Sequence, residues 1–395
     1  MPLMLMAKLV VLFVLIHSVW LSLPDPFLPF LPALDYFRDA HFGWVLRIAA
    51  LAGSIAVLFN FRVRAACLVA GSAVLLGILA SRPYFHNNTL YLGCLLFLLG
   101  LYEPASGPSL IHFQVILVFF AAALNKVLEP SWRNGQFFSY WASVAVIHSW
   151  YWRVASRLPV VMPLVMSWLT IATELSLAIG LTFRRYRMYA IWLGLVFFTG
   201  MNLLTGQTYG FFFLIPISLL AFAPWPHMPA TVLYDGDCGF CNRTRRVMER
   251  LDLEGQFVWK PFQTASDLHG VSEEALKQRL YVVAEDSKHS GFAAFKLMFL
   301  YNPLTYFALF FALSIPHWHL YQRHWLAIAV LAIFSPIFAP VGEMLYDLVA
   351  RNRHRISQLT GGVSCAIEIK HTFAVDREAT GSTVSAQARD RPLLE

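Results

Sequence analysis

The chain has 395 residues, room for two or three domains, with 58% apolar residues, 13% charged residues and a formal charge of +7. Soluble domains average about 25% charged residues, so the composition excludes an ordinary soluble protein. The basic balance does not point to nucleic acid, because Lys and Arg cluster at the ends of apolar runs, as in cytoplasmic loops facing anionic lipid.

The apolar runs fill residues 1–226. A bilayer-crossing helix needs about 20 apolar residues. Eight candidate spans follow: 3–23, 43–60, 65–81, 88–102, 109–127, 160–183, 187–205 and 209–223. The first has no small-residue cleavage site and more spans follow it, so it reads as a retained helix. The stretch 137–152 is rich in Trp and Tyr, which suits an interfacial or re-entrant helix. If it does not cross, Arg62 and Arg64 fall on the same side as Arg184, Arg185 and Arg187. The positive-inside rule favours that arrangement, and it puts both termini in the cytosol. Ionisable groups inside apolar runs call for a functional explanation. Here they are His17, Arg47, His112, Lys126 and Glu174. Snorkelling accounts for Lys126 at the end of its run. Pairing with Glu174 is the alternative that also satisfies the carboxylate. His17 and His112 read as hydrogen-bonding groups between helices.

Residues 230–360 read as a separate α/β domain. A β-rich run, Thr231 to Tyr234, leads to Asp235-Gly236-Asp237 and then a helix over about 238–253. Strands are expected at 257–259 and 280–283, with a helix at 273–279 between them. A turn at 286–291 leads to a helix near 292–301. This order predicts a small α/β sandwich. The apolar stretches 304–316 and 324–340 carry Pro316, Pro336 and Pro340, and read as helices packed on the domain or lying on the membrane surface, with a helical hairpin dipping into the bilayer as the alternative. Residues 361–395 form a polar, Ser/Thr/Ala-rich tail expected to be disordered.

Of the five cysteines, Cys67, Cys94, Cys238, Cys241 and Cys365, only Cys238 and Cys241 have a spacing that carries chemistry. A helix N-terminus offers free N–H groups and a partial positive charge that stabilise a thiolate. The two-residue spacer lets the second thiol resolve a mixed disulfide. Cys238 is expected to be the more exposed, attacking thiol and Cys241 the resolving one. Asp235 and Asp237 would raise the thiol pKa, and Arg243, Arg245 or Arg246 would lower it. Three other readings stand beside this one. The pair could be half of a zinc site, but His269, His289 and Cys365 offer no second paired spacing, and no metal is assigned. Asp-x-Asp after a strand also opens a phosphotransferase fold, but a later acidic pair for magnesium is missing. The pair could also be catalytically inert.

The segment Leu233 to Cys241, reading LYDGDCGFC, resembles the signature of the DCC family of thiol–disulfide oxidoreductases. Gly291-Phe292-Ala293-Ala294 resembles that family's Gly-x-x-Ala helix start. Tyr346 to Ile356 resembles its Tyr-x-x-x-Ala-x-Asn-Arg ending. The resemblance covers about 231–360. It implies a thioredoxin-like fold and a redox pair at Cys238 and Cys241, acting on a protein or small-molecule disulfide with no cofactor required. One departure is that no proline precedes the 280–283 strand, where thioredoxins place a cis proline.

In the membrane half, the span ending at Lys126 and the following Trp132-x-x-Gly135 resemble the horizontally transferred transmembrane (HTTM) domain family, related to vitamin K-dependent gamma-carboxylases. His86 to Tyr91 and Thr173-Glu174 are similar to further segments of it. The resemblance implies a quinone as a possible cofactor, with Lys126, Glu174 and His86 as the positions to test. The family's histidine in span seven is replaced near Phe198-Thr199, and carboxylation is not predicted. The sequence therefore describes a membrane all-α bundle of about eight spans carrying a C-terminal thioredoxin-like domain. The expected setting is a bacterial inner (plasma) membrane with the C-terminal domain cytosolic. A quinone-coupled redox protein, or a transporter or scaffold with a redox-sensing domain, are the alternatives.

Overall fold

The computed structural model describes residues 2–24, 32–37, 40–81, 84–103, 107–144, 161–205, 211–225, 229–252, 255–285, 287–314 and 320–359. Ten helices form the first half: α1 Pro2–Ile16, α2 Ala40–Leu58, α3 Val63–Ala80, α4 Asn87–Leu101, α5 Ser109–Leu128, α6 Pro130–Arg133, α7 Gln136–Val144, α8 Val161–Thr182, α9 Arg187–Thr205 and α10 Phe211–Ser218, among the described residues. Four helical stretches are long and apolar enough to cross a membrane: His41–Leu58, Val63–Ala80, Ser109–Leu128 and Val161–Thr182. Their outward faces are apolar as well. On α5, Phe113, Leu117, Phe120 and Leu124 are exposed at helical spacing. Such a stripe is unfavourable in water and suits lipid.

The expected first span is shorter than its apolar run. The helix stops at Ile16, and Ser18 takes a left-handed φ of 54° as the chain turns through 17–22. Fifteen residues rise about 22 Å, less than the roughly 30 Å hydrocarbon core. Leu5 through Val14 are nearly all buried, apart from Lys8. Helix α1 is therefore a central strut packed on all sides rather than a lipid-facing one. Helix α4 is also 15 residues long.

The ends of the helices show how the bundle is threaded. Pro2, Arg64, Tyr102, His112, Arg184, Arg187 and Phe222 all line one cavity. The starts of α1, α3, α5 and α9 therefore meet the ends of α4 and of the last bundle segment on a single side. The two arginine clusters share that side, as expected if the chain returns after α5 without crossing. Helices α6 and α7 begin the connection to α8, with Gly135 seated on the start of α8. Its φ is 80°, and a Cβ there would come 2.6 Å from the Leu164 nitrogen. The rest of the aromatic stretch, 145–152, lies outside the described residues.

The C-terminal half contains β1 Ala230–Tyr234, α11 Gly239–Leu251, β2 Phe257–Pro261, α12 Glu273–Gln278, β3 Tyr281–Ala284, β4 Ser287–Ser290, α13 Gly291–Leu300, α14 Pro303–Ser314, α15 Leu320–Phe334 and α16 Ala339–Leu359. The sheet order is β2-β1-β3-β4. Strand β1 pairs parallel with β2 and antiparallel with β3, and β3 pairs antiparallel with β4. Side chains alternate across the sheet. Val232, Tyr234 and Val282 face Met248 of α11 and Ala294 and Met298 of α13. Leu233 and Val283 face Leu276 of α12.

Two expectations change here. The expected turn at 286–291 contains β4, a polar strand (Ser-Lys-His-Ser) held by pairing with β3 rather than by apolar alternation. The stretch 304–316 packs on the bundle rather than on the domain alone, since Phe310 joins the bundle core with Tyr306 and Phe307 beside it. Helices α13 and α14 form a pair bent by 71°, and Ile328–Phe334 with Pro336–Arg353 a pair bent by 66°. If each bent pair is one span, the described residues hold up to 6 spans.

Candidate active site

The loop after β1 is fixed by a dense set of hydrogen bonds. Asp235 accepts from the Asp237 N–H at 3.1 Å and from the Gln263 amide at 2.8 Å. The Gln263 amide also reaches Asp237 at 3.2 Å, and its carbonyl accepts from the Gly236 N–H at 3.0 Å. Asn242 donates to the carbonyls of Gly236 and Cys238. The loop delivers Cys238 to the N-cap of α11, where its Sγ accepts from the Cys241 N–H at 3.5 Å. An N-cap acceptor satisfies one of the N–H groups that a helix start leaves unpaired.

The two thiols are pushed apart in acidity. The hydrogen bond from the Cys241 thiol is the largest effect lowering the Cys238 pKa, from the ordinary 9.0 to about 6. The Cys241 N–H and the Arg353 guanidinium act in the same direction, while burial and Asp235 oppose them. Cys241 moves up, first because it gives that bond and then through burial. Both shifts favour the thiolate at Cys238 and the thiol at Cys241.

Exposure runs opposite to the sequence expectation. Cys238 is only 2% exposed, and Cys241 is the more open of the two. Helix α16 lies next to the pair. It packs across α11 and brings Arg353 beside Cys238, 3.5 Å from the Asp235 carboxylate. Arg353 also donates to the Lys277 carbonyl. Helix α16 is held in turn by Arg279, which pairs with Glu343 at 2.9 Å and with Asp347. The Tyr346 hydroxyl accepts from the Leu280 N–H at 3.0 Å. Between α11, α13 and α16 lies a mainly apolar pocket of about 330 Å³, lined by Cys241, Phe240, Leu280, Phe292, Phe295 and Leu345 among others.

Arg243, expected to support the pair, sits on the same helix as the cysteines. It lies two residues past Cys241, which turns it to the other side of the helix, and it is exposed. Arg245 sits over the Tyr234 ring and reaches Glu249. The cation beside the pair is Arg353, which sequence reasoning left without a role although it closes the Tyr-x-x-x-Ala-x-Asn-Arg pattern. Gln263 and Asn242 were also missed. Asn242 adjoins Cys241, but Gln263 had no motif to mark it.

The membrane-half candidates are brought together in part. Lys126 Nζ lies 2.8 and 2.9 Å from the two Glu174 oxygens, and 5.0 Å from the centre of the Trp132 ring. Lys126 is thus paired within the bundle rather than only snorkelling. His86 is exposed at the head of α4, and among the described residues no contact joins it to that pair. His112 bonds the Ala221 carbonyl at 2.7 Å and stacks on Phe222. Arg47 bonds the Leu23 carbonyl, where the chain leaves the turn after α1.

Helices long and apolar enough to cross a membrane thus accompany an α/β domain whose Cys238 caps a helix within reach of Cys241. Residues 232–324 match the family model of DCC1-like thiol-disulfide oxidoreductases and form such a domain. The chain matches no curated protein and no solved structure.

Proposed function

We propose that the protein is a membrane-anchored thiol–disulfide oxidoreductase in which Cys238 attacks and Cys241 resolves. The observation that carries this reading is the position of Cys238 at the N-cap of α11, holding a thiolate through the Cys241 hydrogen bond. The Cys238 thiolate attacks one sulfur of a substrate disulfide, forms a mixed disulfide and releases the other sulfur as a thiolate. The Cys241 thiol then loses its proton and attacks Cys238 Sγ, releasing the second substrate sulfur. Two electrons pass to the substrate, and the protein is left with a Cys238–Cys241 disulfide that a cellular dithiol reduces. Asp235, Asp237, Asn242 and Gln263 hold the loop, and Arg353 favours the thiolate. The strand order β2-β1-β3-β4, with the dithiol after β1, supports a thioredoxin-like fold for the domain. The arginine clusters at the end of the bundle nearest the domain support a cytosolic placement for it, in a bacterial plasma membrane. The test uses purified full-length protein and a disulfide substrate. Cys238→Ser is expected to abolish exchange and Cys241→Ser to accumulate a mixed disulfide at Cys238. Full activity in both variants would sink the assignment.

A second reading rests on the Lys126–Glu174 pair beside Trp132, together with the resemblance of the bundle to the HTTM family. In it the bundle binds a quinone that exchanges electrons with the dithiol: a reduced pair and a quinone give the disulfide and the quinol. Quinone-dependent loss of the Cys238 and Cys241 thiols in wild type, but not in Lys126→Met, is the expected result. Equal thiol loss in both proteins would remove the bundle from the redox step.

A further inference from the structure

The cavity between the bundle and the redox domain has no part in either reading. It measures about 1030 Å³ and is lined by Arg64, Arg184 and Arg187, with His112 nearby. Glu285, at the turn after β3, is the one carboxylate among its described lining residues. Arg187 is anchored by its bond to the Leu181 carbonyl at 3.1 Å and by the Phe222 ring. Arg64 and Arg184 are exposed and make no hydrogen bond or ion pair among the described residues. Three guanidiniums around one concavity repel each other, and an anion accepting from them relieves that repulsion.

The walls narrow the choice of anion. Leu3, Met4, Leu99, Met188, Phe222 and Trp225 give the cavity an apolar side. A small inorganic anion would leave that surface unused. The cavity also lies where the ends of the membrane-length helices meet, the end of a span being where lipid headgroups gather. It is separate from the cysteine site. Trp225 and Gln256 tie the starts of β1 and β2 to the bundle, whereas Cys238 follows the opposite end of β1, roughly 16 Å away along a five-residue strand.

We propose that this cavity holds an anionic phospholipid of the surrounding bilayer, its phosphate on Arg64, Arg184 and Arg187 and its acyl chains along the apolar wall. The lipid neutralises the arginines at this end of the bundle and lies below the β3–β4 hairpin, whose Glu285 carboxylate limits how tightly it binds. Redox chemistry at Cys238 does not depend on this assignment.

The experiment compares apparent melting temperature and bound lipid for delipidated full-length protein. The probes are phosphatidylglycerol, phosphatidylcholine and inorganic phosphate. Phosphatidylglycerol is expected to raise the melting temperature by several degrees and to stay bound at about one per chain by native mass spectrometry, while the other two do neither. The Arg64→Gln/Arg184→Gln double variant should lose most of that shift, and Arg185→Gln, which is outside the cavity lining, should keep it. Glu285→Gln removes the opposing carboxylate and should tighten binding, which keeps the test open if the double variant fails to fold. An equal shift with phosphatidylcholine, an equal shift with inorganic phosphate, an unchanged shift in the double variant, or weaker binding in Glu285→Gln would each overturn the proposal.

Discussion

The Arg353 guanidinium lies 3.5 Å from the Asp235 carboxylate, and both charges bear on the Cys238 thiol in opposite senses. The midpoint of Cys238 alkylation by a small uncharged reagent is therefore expected near pH 6, well below that of a free cysteine. Arg353→Gln should move the midpoint up and Asp235→Asn should move it down. A midpoint near 9 in the wild type would show that the thiolate is not held.

The same shift has a consequence for stability. Between about pH 6 and 9 the Cys238 thiol is ionised in the folded, reduced domain and protonated in the unfolded chain. The unfolded state then binds more protons, so stability rises with pH across that window. The contribution is complete above the unfolded value of 9 and lost as pH falls through about 6. The raised Cys241 pKa acts only above 9, in the opposite sense. Denaturant melts of wild type and Cys238→Ser should thus diverge as pH rises from 6 to 9. Parallel curves would contradict the assignment.

Arg279 ties the helix that carries Arg353 to the start of β3. Its two bridges to α16 are about one-third exposed, and such pairs contribute roughly 0.2–1 kcal/mol each. Together, about 0.4–2 kcal/mol corresponds to a factor of about 2–30 in the open population. Arg279→Ala is expected to speed Cys238 alkylation by that factor at saturating pH without moving its midpoint much. An unchanged rate would mean that α16 does not gate the thiol.

Much of this arrangement was legible in the residues. The four long spans follow from runs of apolar residues that no other element explains, and the dithiol follows from its place after a short β-rich run. The end of α1 was not legible, because Ser18 turns the chain with neither glycine nor proline to mark it. Strand β4 was not legible either: Ser287, Lys288, His289 and Ser290 carry no apolar alternation, and only pairing with β3 makes them a strand. The placement of Arg353 beside Cys238 comes from a helix more than 100 residues further along the chain, which local spacing does not encode.

Gly291 shows why a glycine begins α13. Its φ is 61°, and a Cβ there would come 2.7 Å from the Glu343 carboxylate and 2.8 Å from the Arg279 guanidinium. Alanine adds about 1–2 kcal/mol of left-handed backbone cost and pushes those two partners apart. Gly291→Ala should lower the melting temperature of the protein and also raise the Cys238 alkylation rate, as Arg279→Ala does. Loss of stability with no change in that rate would separate the helix start from the cover over the thiol.

The Lys126–Glu174 pair brings two opposite charges together among the apolar walls of the bundle. Lys126→Met alone leaves the Glu174 carboxylate, 8% exposed, without its partner. Removing one member of a buried pair costs about 3–5 kcal/mol, whereas replacing both with apolar residues of similar volume is often neutral. Lys126→Met is therefore expected to lower the apparent melting temperature in detergent, and Lys126→Met/Glu174→Met to restore most of it. The restored double variant then separates the two functional readings. Retained disulfide exchange with a supplied dithiol leaves the chemistry with Cys238 and Cys241. Lost quinone-dependent thiol oxidation in that same stable protein assigns the pair to the carrier site.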